Sequence, residues 1–252
     1  MKRRFYIVAV TILSACLSGA GSLRAFDHIS LGGPSIEGVF AADGVGPYWE
    51  FYSDIMASAP HTVDIRLLPI KRYTRSFFSR EVDCLYMVSD DEIFYRDHGV
   101  DANQFLASPA FNRINLHAYT LASRPVLRSM AGLEGKAIVG DESLHASTIA
   151  KRRLPFLSDI HYAKTIDDTF ELLSAGRAQV VLSYSLDAEA YFARVGRRDF
   201  HSDPNFVLLS LGERFTCWPS DKAARFIAHV SARIELLRER GELREKYGFS
   251  IP

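Results

Sequence analysis

The side chains that could do chemistry are aromatic and cationic residues at the ends of predicted strands and the starts of predicted helices. Tyr48 opens a helix after a glycine-containing loop, and Arg72 and Tyr73 lie one turn beyond the strand that Pro69 ends. Tyr184 ends a later apolar strand. A guanidinium can hold a carboxylate or phosphate bidentately, and aromatic rings provide flat apolar walls for a small molecule. Core packing of Tyr48 and solvation of Arg72 on a helix face are the alternatives without a ligand.

A second group of candidates opens the helix predicted to begin near residue 143. Ser143 and His145 could donate hydrogen bonds to an anion there, although helix capping alone accounts for Ser143. Tyr86 near the end of an apolar strand, Arg96 in the acidic segment after it, and Trp218 complete the set. The predicted ligand-binding residues are Tyr48, Arg72, Tyr73, Tyr86, Arg96, Ser143, His145, Tyr184 and Trp218.

Local sequence signatures of catalysis and metal binding do not occur. The eight histidines form no His-x-His or His-x-x-x-His pair, so their spacing predicts no zinc site. Gly-x-Ser-x-Gly, Walker and Gly-x-Gly-x-x-Gly motifs are also absent from the sequence. The run Asp90-Asp91-Glu92 fits a metal or general-acid cluster, or more simply a solvated acidic loop. We predict no catalytic residue, no metal and no cofactor.

A strand–helix–strand segment over residues 63–88 positions several of these candidates. Residues 63–67 alternate between apolar and polar side chains, which indicates a strand with one buried face. Residues 71–80 carry Tyr73 on an aromatic helical stripe, and the mostly apolar residues 82–88 predict a strand covered on both faces. Such a segment requires a parallel sheet with a right-handed crossover.

The rest of the chain continues this alternation and predicts two α/β halves. Pro47 suits the first position of a helix, Thr165 and Asp168 form a capping-box pattern, and Gly176 suits a left-handed residue. Extended segments near residues 108–115 and 201–206 join the halves and predict a cleft between them. Further strands are predicted at residues 28–31, 115–121, 159–163, 179–183 and 205–211, and helices at 143–154, 166–175, 185–195 and 220–241.

The charge balance disfavours nucleic acid and anionic membranes as partners. The 252 residues contain 30 Lys and Arg against 30 Asp and Glu. The first 25 residues hold four of the basic residues and no acid, so the remainder has 26 basic against 30 acidic residues. A chain of this length has ample material for one large domain or two modest ones.

The N-terminus predicts export. A basic start is followed by an apolar stretch from Phe5 to about Ala20, which is short for a membrane span. An ordinary signal-peptidase cut after Ala20 or Ala25 is the leading interpretation, with residues 1–25 as the signal peptide. Alternatively, Leu-Ser-Ala-Cys resembles a lipobox, which would make Cys16 a lipid anchor; a third alternative is an uncleaved buried helix. The predicted location is the periplasm.

Two cysteines remain after the predicted leader. Cys84 and Cys217 could pair in an oxidising compartment, or they could be two buried thiols. Their spacing leaves both alternatives open.

Several motifs, in order, resemble the amino-acid-type solute-binding proteins of the type II periplasmic binding protein family. Residues 176–182 read Gly-Arg-Ala-Gln-Val-Val-Leu, similar to the family's Gly-Arg-x-Asp-Ala strand. Residues 132–140 resemble its Leu-x-Gly-Lys turn, residues 108–111 its hinge approach, and residues 234–248 its C-terminal helix. The segment over residues 63–88 is similar to a Pro-x-x-Arg…Val-Asp segment of diverged members.

The resemblance covers essentially the whole chain after the leader and implies an α/β fold of two lobes. Each lobe would be a mainly parallel sheet flanked by helices, and two crossing strands would form the hinge. The implied lobes are residues 26–110 with 206–252, and residues 111–205.

The sequence departs from the family at the positions that bind an α-amino acid. Where the family has Thr-x-Thr-x-x-Arg for the ligand carboxylate, this chain has Asp90, Glu92 and Tyr95, with Arg96 one place late. The aspartate that holds the α-amino group is replaced by Tyr184. We therefore expect a small polar or charged organic solute rather than standard α-amino-acid recognition.

The resemblance implies a monomeric, exported receptor that delivers its solute to the membrane permease of an ABC importer. A module that reports ligand occupancy to a membrane sensor is an alternative. Since a few relatives are dehydratases, a small periplasmic lyase or dehydratase is a third interpretation.

Overall fold

The computed structural model describes residues 27–36 and 39–250, so the predicted signal peptide and Cys16 lie outside the described residues. Strands and helices alternate along the chain, as the sequence predicts. The strands are β1 Asp27–Pro34, β2 His61–Leu68, β3 Cys84–Ser89, β4 Leu106–Ala107, β5 Asn112–Leu121, β6 Ile138–Asp141, β7 His161–Ala163, β8 Val180–Tyr184, β9 Phe200–His201 and β10 Leu209–Cys217. The helices are α1 Pro47–Met56, α2 Ile70–Phe78, α3 Ile93–Arg96, α4 Glu142–Ala146, α5 Thr148–Arg153, α6 Ile166–Ser174, α7 Ser185–Val195, α8 Asp221–Glu239 and α9 Glu242–Glu245.

One mixed sheet runs through both halves in the order β2-β1-β3-β10-β5-β8-β6-β7, with β4 paired to β10 and β9 paired to β5. In the first half, β1 lies parallel to β2 and β3; in the second, β6 lies parallel to β7 and β8. We call the half that contains β1–β4 the first lobe and the half that contains β6–β9 the second lobe. The α/β architecture predicted from the sequence is confirmed.

The long strands β5 and β10 cross between the lobes and pair with each other in an antiparallel ladder. Leu209 lies opposite Leu116 at one end of this ladder, and Glu213 lies opposite Asn112 at the other. Beyond the ladder, β5 pairs with β8 in the second lobe, whereas β10 pairs with β3 in the first. This crossing ladder is the hinge of the molecule.

Each lobe has its own apolar core. The first core is an aromatic cluster under α1 and α8, and its ring centroids lie about 4–6 Å apart, as expected for packed aromatic side chains. Its central rings, each 0% exposed, are Phe51, Tyr86, Phe111, Phe215 and Phe249. In the second lobe, Phe170 stacks on Tyr191 against β8 and α7. The two lobes therefore have separate main cores, joined by a small cluster of Ile93, Ile149 and Leu211.

A disulfide joins Cys84 and Cys217, a pairing that the sequence left open. The two residues lie directly opposite each other on β3 and β10, and both side chains are fully buried. The bond therefore links the crossing strand β10 to β3 in the centre of the first lobe.

Several local predictions are confirmed by hydrogen bonds and dihedral angles. Pro47 begins α1, and the side chains and backbone amides of Thr165 and Asp168 form the capping box of α6. Gly176 has a φ of 69°, as its position after a helix requires. Ser220 caps α8 by accepting a hydrogen bond from the Ala223 amide.

Two element predictions are wrong. The single helix over residues 143–154 is broken at Ser147, whose extended backbone ends α4 and whose hydroxyl caps α5. The strand predicted at residues 205–211 instead spans Leu209–Cys217, because the polar residues Glu213 and Arg214 interrupt the apolar pattern without ending the strand. In addition, Tyr184 rather than Ser185 holds the N-cap position of α7.

Among the described residues, no helix combines the length and the apolar character needed to cross a membrane.

Candidate functional site

A cavity of about 370 Å³ lies between the lobes beside the hinge; we call it the main cavity. Its walls come from both lobes and from the crossing strands, and include Tyr73, Met87 and Ser89 of the first lobe and Ser147, Tyr184 and Asp187 of the second. A second cavity of about 520 Å³ adjoins it and shares Lys71, Ser143 and Asp187 on its walls. These are ordinary dimensions for a small organic ligand.

A β-bulge in β3 shapes the first-lobe wall. Leu85 pairs with Thr216 and Val88 with Arg214, so two residues of β3, Tyr86 and Met87, lie opposite one residue of β10. Met87 has a φ of 68°, a left-handed conformation that is rare for a residue with a side chain. Bulges of this kind re-aim side chains at functional sites. Here the bulge coincides with the cavity wall.

Glu213, the last residue of the hinge ladder, is a buried carboxyl group on the cavity wall. It is 6% exposed, and its Oε2 accepts hydrogen bonds from the Tyr48 hydroxyl and from Nδ2 of Asn112 at 2.8 Å. Burial raises the pKa of Glu213 to about 7, although the two hydrogen bonds oppose this rise by favouring the carboxylate. Near neutral pH the group can therefore gain or lose a proton.

Asp187 lies in the first turn of α7 and lines both cavities. Among the described residues, no hydrogen bond or ion pair reaches its carboxyl group. Burial, with smaller contributions from Asp141 and Glu213, raises the pKa of Asp187 to about 8. The cleft thus contains two acids whose negative charge the protein itself leaves largely uncompensated.

The cations of the main cavity are few. Lys71, in the first turn of α2, lines both cavities and is exposed. His98 lies on the wall near the first-lobe rim, where its ring stacks on Phe78. The residues that line the main cavity include no arginine.

Of the ligand-binding residues predicted from the sequence, Tyr48, Tyr73, Ser143 and Tyr184 lie on the walls of the main cavity. The Tyr73 hydroxyl donates a hydrogen bond to the backbone oxygen of Tyr86 at 2.9 Å, and the Ser143 hydroxyl donates one to the Asp141 carboxylate at 2.7 Å. Ser143 therefore lies inside α4 rather than capping it; Asp141 is the cap.

The other predicted residues lie away from the cavity walls. Tyr86 is buried behind Tyr48, and its hydroxyl donates to the Tyr48 backbone oxygen. Arg72 and Arg96 are exposed, and Trp218 packs on Phe77 under the guanidinium of Arg80. His145 is exposed and contacts Tyr162 and Lys151.

The acidic run after β3 is not the solvated loop that the sequence favours. Only Glu92 is exposed; Asp90 accepts a hydrogen bond from the Gly212 amide in the hinge, and Asp91 accepts one from the Ile93 amide at the start of α3. In the described part of the chain, no group of three or more His, Cys, Asp or Glu side chains could hold a metal ion.

Two ion pairs from this acidic segment bridge the lobes. Arg153 contacts Asp91 at 2.9 Å, and Arg152 contacts Asp97 at 2.7 Å. The two arginines belong to α5 of the second lobe and the two aspartates flank α3 of the first. Beside them, Ile93 and Ile149 pack together with Leu211. These interlobe ion pairs link the two lobes on this side of the cleft.

Removing both arginines should open the ligand-free molecule. An ion pair with one solvated partner contributes about 0.2–1 kcal/mol, so the Arg152→Ala/Arg153→Ala variant loses about 1 kcal/mol of closed-state stability. We expect small-angle X-ray scattering at low salt to give a larger radius of gyration for this variant than for the parent. Arg128→Ala, which removes the Arg128–Asp203 pair within the second lobe, is the matched control. Equal radii for all three proteins would contradict a closing role for these pairs.

Sequence reasoning missed Glu213 and Asp187 as wall residues. Glu213 could have been noticed as an acid between the apolar residues Leu211 and Phe215. Tyr184 stands at the position where the family has its aspartate, and Asp187 lies one helical turn after it. An acid one turn further along the helix was therefore the sequence signal that could have identified this wall residue.

The structure is similar to several solved structures of ligand-binding proteins. A histidine kinase sensor domain with similarity to periplasmic binding proteins is 18% identical, with a TM-score of 0.68 over 90% of this chain and 99% of that one. The probable amino-acid ABC transporter extracellular-binding protein of Bacillus subtilis is 16% identical, with a TM-score of 0.67 over 88% and 97%. The GluR0 ligand-binding core of Nostoc punctiforme, in complex with L-glutamate, is 14% identical, with a TM-score of 0.64 over 87% and 98%.

No family model and no curated protein matches the sequence. The similarity is thus one of structure, at identities too low to transfer a ligand. The strand order, the paired crossing strands and the solved structures together show that this chain has the two-lobed fold of the type II periplasmic binding proteins, in a diverged form.

Proposed function

We propose that this chain is an exported receptor that captures a small polar or charged organic solute between its two lobes. The observation that carries the proposal is the main cavity, whose walls come from both lobes and from the hinge strands. A ligand that contacts both walls binds the closed form more tightly than the open form, so it shifts the population toward closure.

The disulfide supports the exported location. A bond between two fully buried cysteines suits an oxidising compartment such as the periplasm. The predicted signal peptide would direct the chain there, with lipidation at Cys16 as the alternative route of attachment.

Two membrane partners fit this receptor. Similarity to an extracellular-binding protein of an ABC transporter supports delivery to an importer, and similarity to a histidine kinase sensor domain supports signalling. Neighbouring genes discriminate between them: genes for a permease and an ATPase favour transport, whereas a histidine kinase or cyclase gene favours sensing.

A thermal-shift screen of the chain from residue 26 onward tests the proposed function. The panel contains amino acids, organic acids, polyamines and sugars. A ligand at 100 times its Kd stabilises the folded state by about 2.7 kcal/mol, which raises the melting temperature by several degrees. The proposal fails if no member of the panel raises it.

A further inference from the structure

Two carboxyl groups face the main cavity from different parts of the fold. Glu213 comes from the hinge ladder, and Asp187 comes from α7 in the second lobe. The negative charge of Glu213 contributes to the raised pKa of Asp187, so the two groups are within electrostatic reach of each other. Because both side chains line the same cavity of about 370 Å³, a ligand that fills it can contact both.

Glu213 has one oxygen left for a ligand. Its two hydrogen bonds, from Tyr48 and Asn112, both end on Oε2. No hydrogen bond among the described residues reaches Oε1, although the side chain is 94% buried and lines the cavity. Oε1 can therefore accept a hydrogen bond from a donor group of a ligand in the cavity.

The cavity walls do not neutralise this pair of acids. Lys71 lines the cavity but forms no ion pair with either of them among the described contacts. The carboxylate-binding arginine that the family resemblance implies has Tyr95 in its place. The Tyr95 ring is buried in the first lobe, and its hydroxyl contacts Thr216 and Arg214. The cavity is thus built to accept positive rather than negative charge.

We propose that the main cavity selects a solute with a protonated amine, which donates hydrogen bonds to the Asp187 carboxylate and to Oε1 of Glu213. This inference rests on the proposed function, since it names the chemical class of the solute bound there. Hydrogen bonds between charged partners are about twice as strong as neutral ones, so the amine would supply much of the binding free energy.

The proposal predicts the direction in which the affinity for an amine changes with pH. An ammonium group favours the ionised carboxyl groups, so its binding expels the protons that burial keeps on them. Affinity should therefore rise with pH between about pH 6 and pH 8.5, and binding of an anion would show the opposite trend. In the main cavity, the titratable and charged groups that share the walls with the two acids are Tyr48, Lys71, Tyr73, His98 and Tyr184. The second cavity, which Asp187 also lines, adds Asp141, Glu142, Lys164, Asp167, Tyr191 and Arg194.

The experiment uses sets of three probes with one carbon skeleton, such as 1,4-diaminobutane, 1,4-butanediol and succinate, extended to other linear and branched primary amines. We expect at least one amine to raise the melting temperature while its matched diol and diacid do not. Isothermal titration of that amine in two buffers of different ionisation enthalpy should show proton release near pH 7.5.

Variants connect the result to the two acids. Asp187→Asn and Glu213→Gln should each weaken amine binding by about tenfold or more, because each removes a charge-assisted hydrogen bond. Glu189→Gln, on the exposed side of the same helix, should leave it unchanged. Circular dichroism of each ligand-free variant verifies that it folds.

The outcomes separate this proposal from the proposed function. If diacids, diols or sugars bind while no amine does, or if amine binding takes up protons, the amine proposal is overturned and the receptor function stands. If both substitutions leave amine affinity unchanged, the assignment to these acids is overturned. If no solute of any class binds, the receptor function fails and the amine proposal fails with it.

Discussion

The Cys84→Ala/Cys217→Ala variant is expected to lose about 2–5 kcal/mol of unfolding free energy relative to the oxidised parent. The disulfide closes a loop with a sequence separation of 133 residues, which includes the whole second lobe. In the chain-entropy model, a loop of about this length restricts the unfolded chain strongly, and the cross-link is worth close to 5 kcal/mol. Urea unfolding followed by circular dichroism measures the change through the transition midpoint.

The reductant provides an internal control. Incubation with dithiothreitol in mild urea should lower the midpoint of the parent to that of the double variant, and it should leave the variant unaffected. Two titratable thiols in the unfolded parent before any reduction would contradict the disulfide. So would equal midpoints for the oxidised parent and the variant.

Asp187→Asn is expected to stabilise the ligand-free protein at pH 8. The folded state holds a proton on Asp187 up to about pH 8, whereas an unfolded aspartic acid loses it near its ordinary pKa, at about pH 4. Between these values the folded state binds more protons than the unfolded state, so the stability of the parent falls as pH rises. Because the side chain is partly exposed, solvent screening reduces the effect, and we expect a gain of about 2–4 kcal/mol for the variant at pH 8.

The pH series isolates this effect. At about pH 4 the parent and Asp187→Asn should have similar melting temperatures, because the carboxyl group is protonated or close to its unfolded pKa in both states. Glu189→Gln should follow the parent at every pH. Parallel curves of melting temperature against pH for the parent and Asp187→Asn, between pH 5 and pH 8, would contradict the claim that the pKa of Asp187 is raised in the folded state. A stabilising substitution that also weakens ligand binding is typical of a functional site.

Sequence patterns predicted the framework of the cleft because they reflect local physics. Alternating residues near Val63 lie in β2, and the capping box at Thr165 begins α6. Tyr73 and Tyr184 lie on the cavity walls because helices and strands of an α/β sheet meet the cleft at their ends. Their role in ligand binding remains a prediction.

The remaining features depend on contacts between distant segments, which local patterns do not encode. The bulge that turns Met87 into the cavity exists only where β3 meets β10. Glu213 interrupts an apolar run, and only its partners Tyr48 and Asn112 explain why a strand can carry it into the hinge. Asp91 and Arg153 are 62 positions apart, so their interlobe pair could not be read from either segment.

Hydrogen–deuterium exchange with and without the solute that most raises the melting temperature tests the central claim most directly. If a solute closes the two lobes, its addition should slow exchange in both cavity walls, namely the segment around Ser89 in the first lobe and that around Asp187 in the second. The hinge ladder near Glu213 should be protected as well. Protection confined to one lobe, or located away from the cleft, would contradict binding between the lobes.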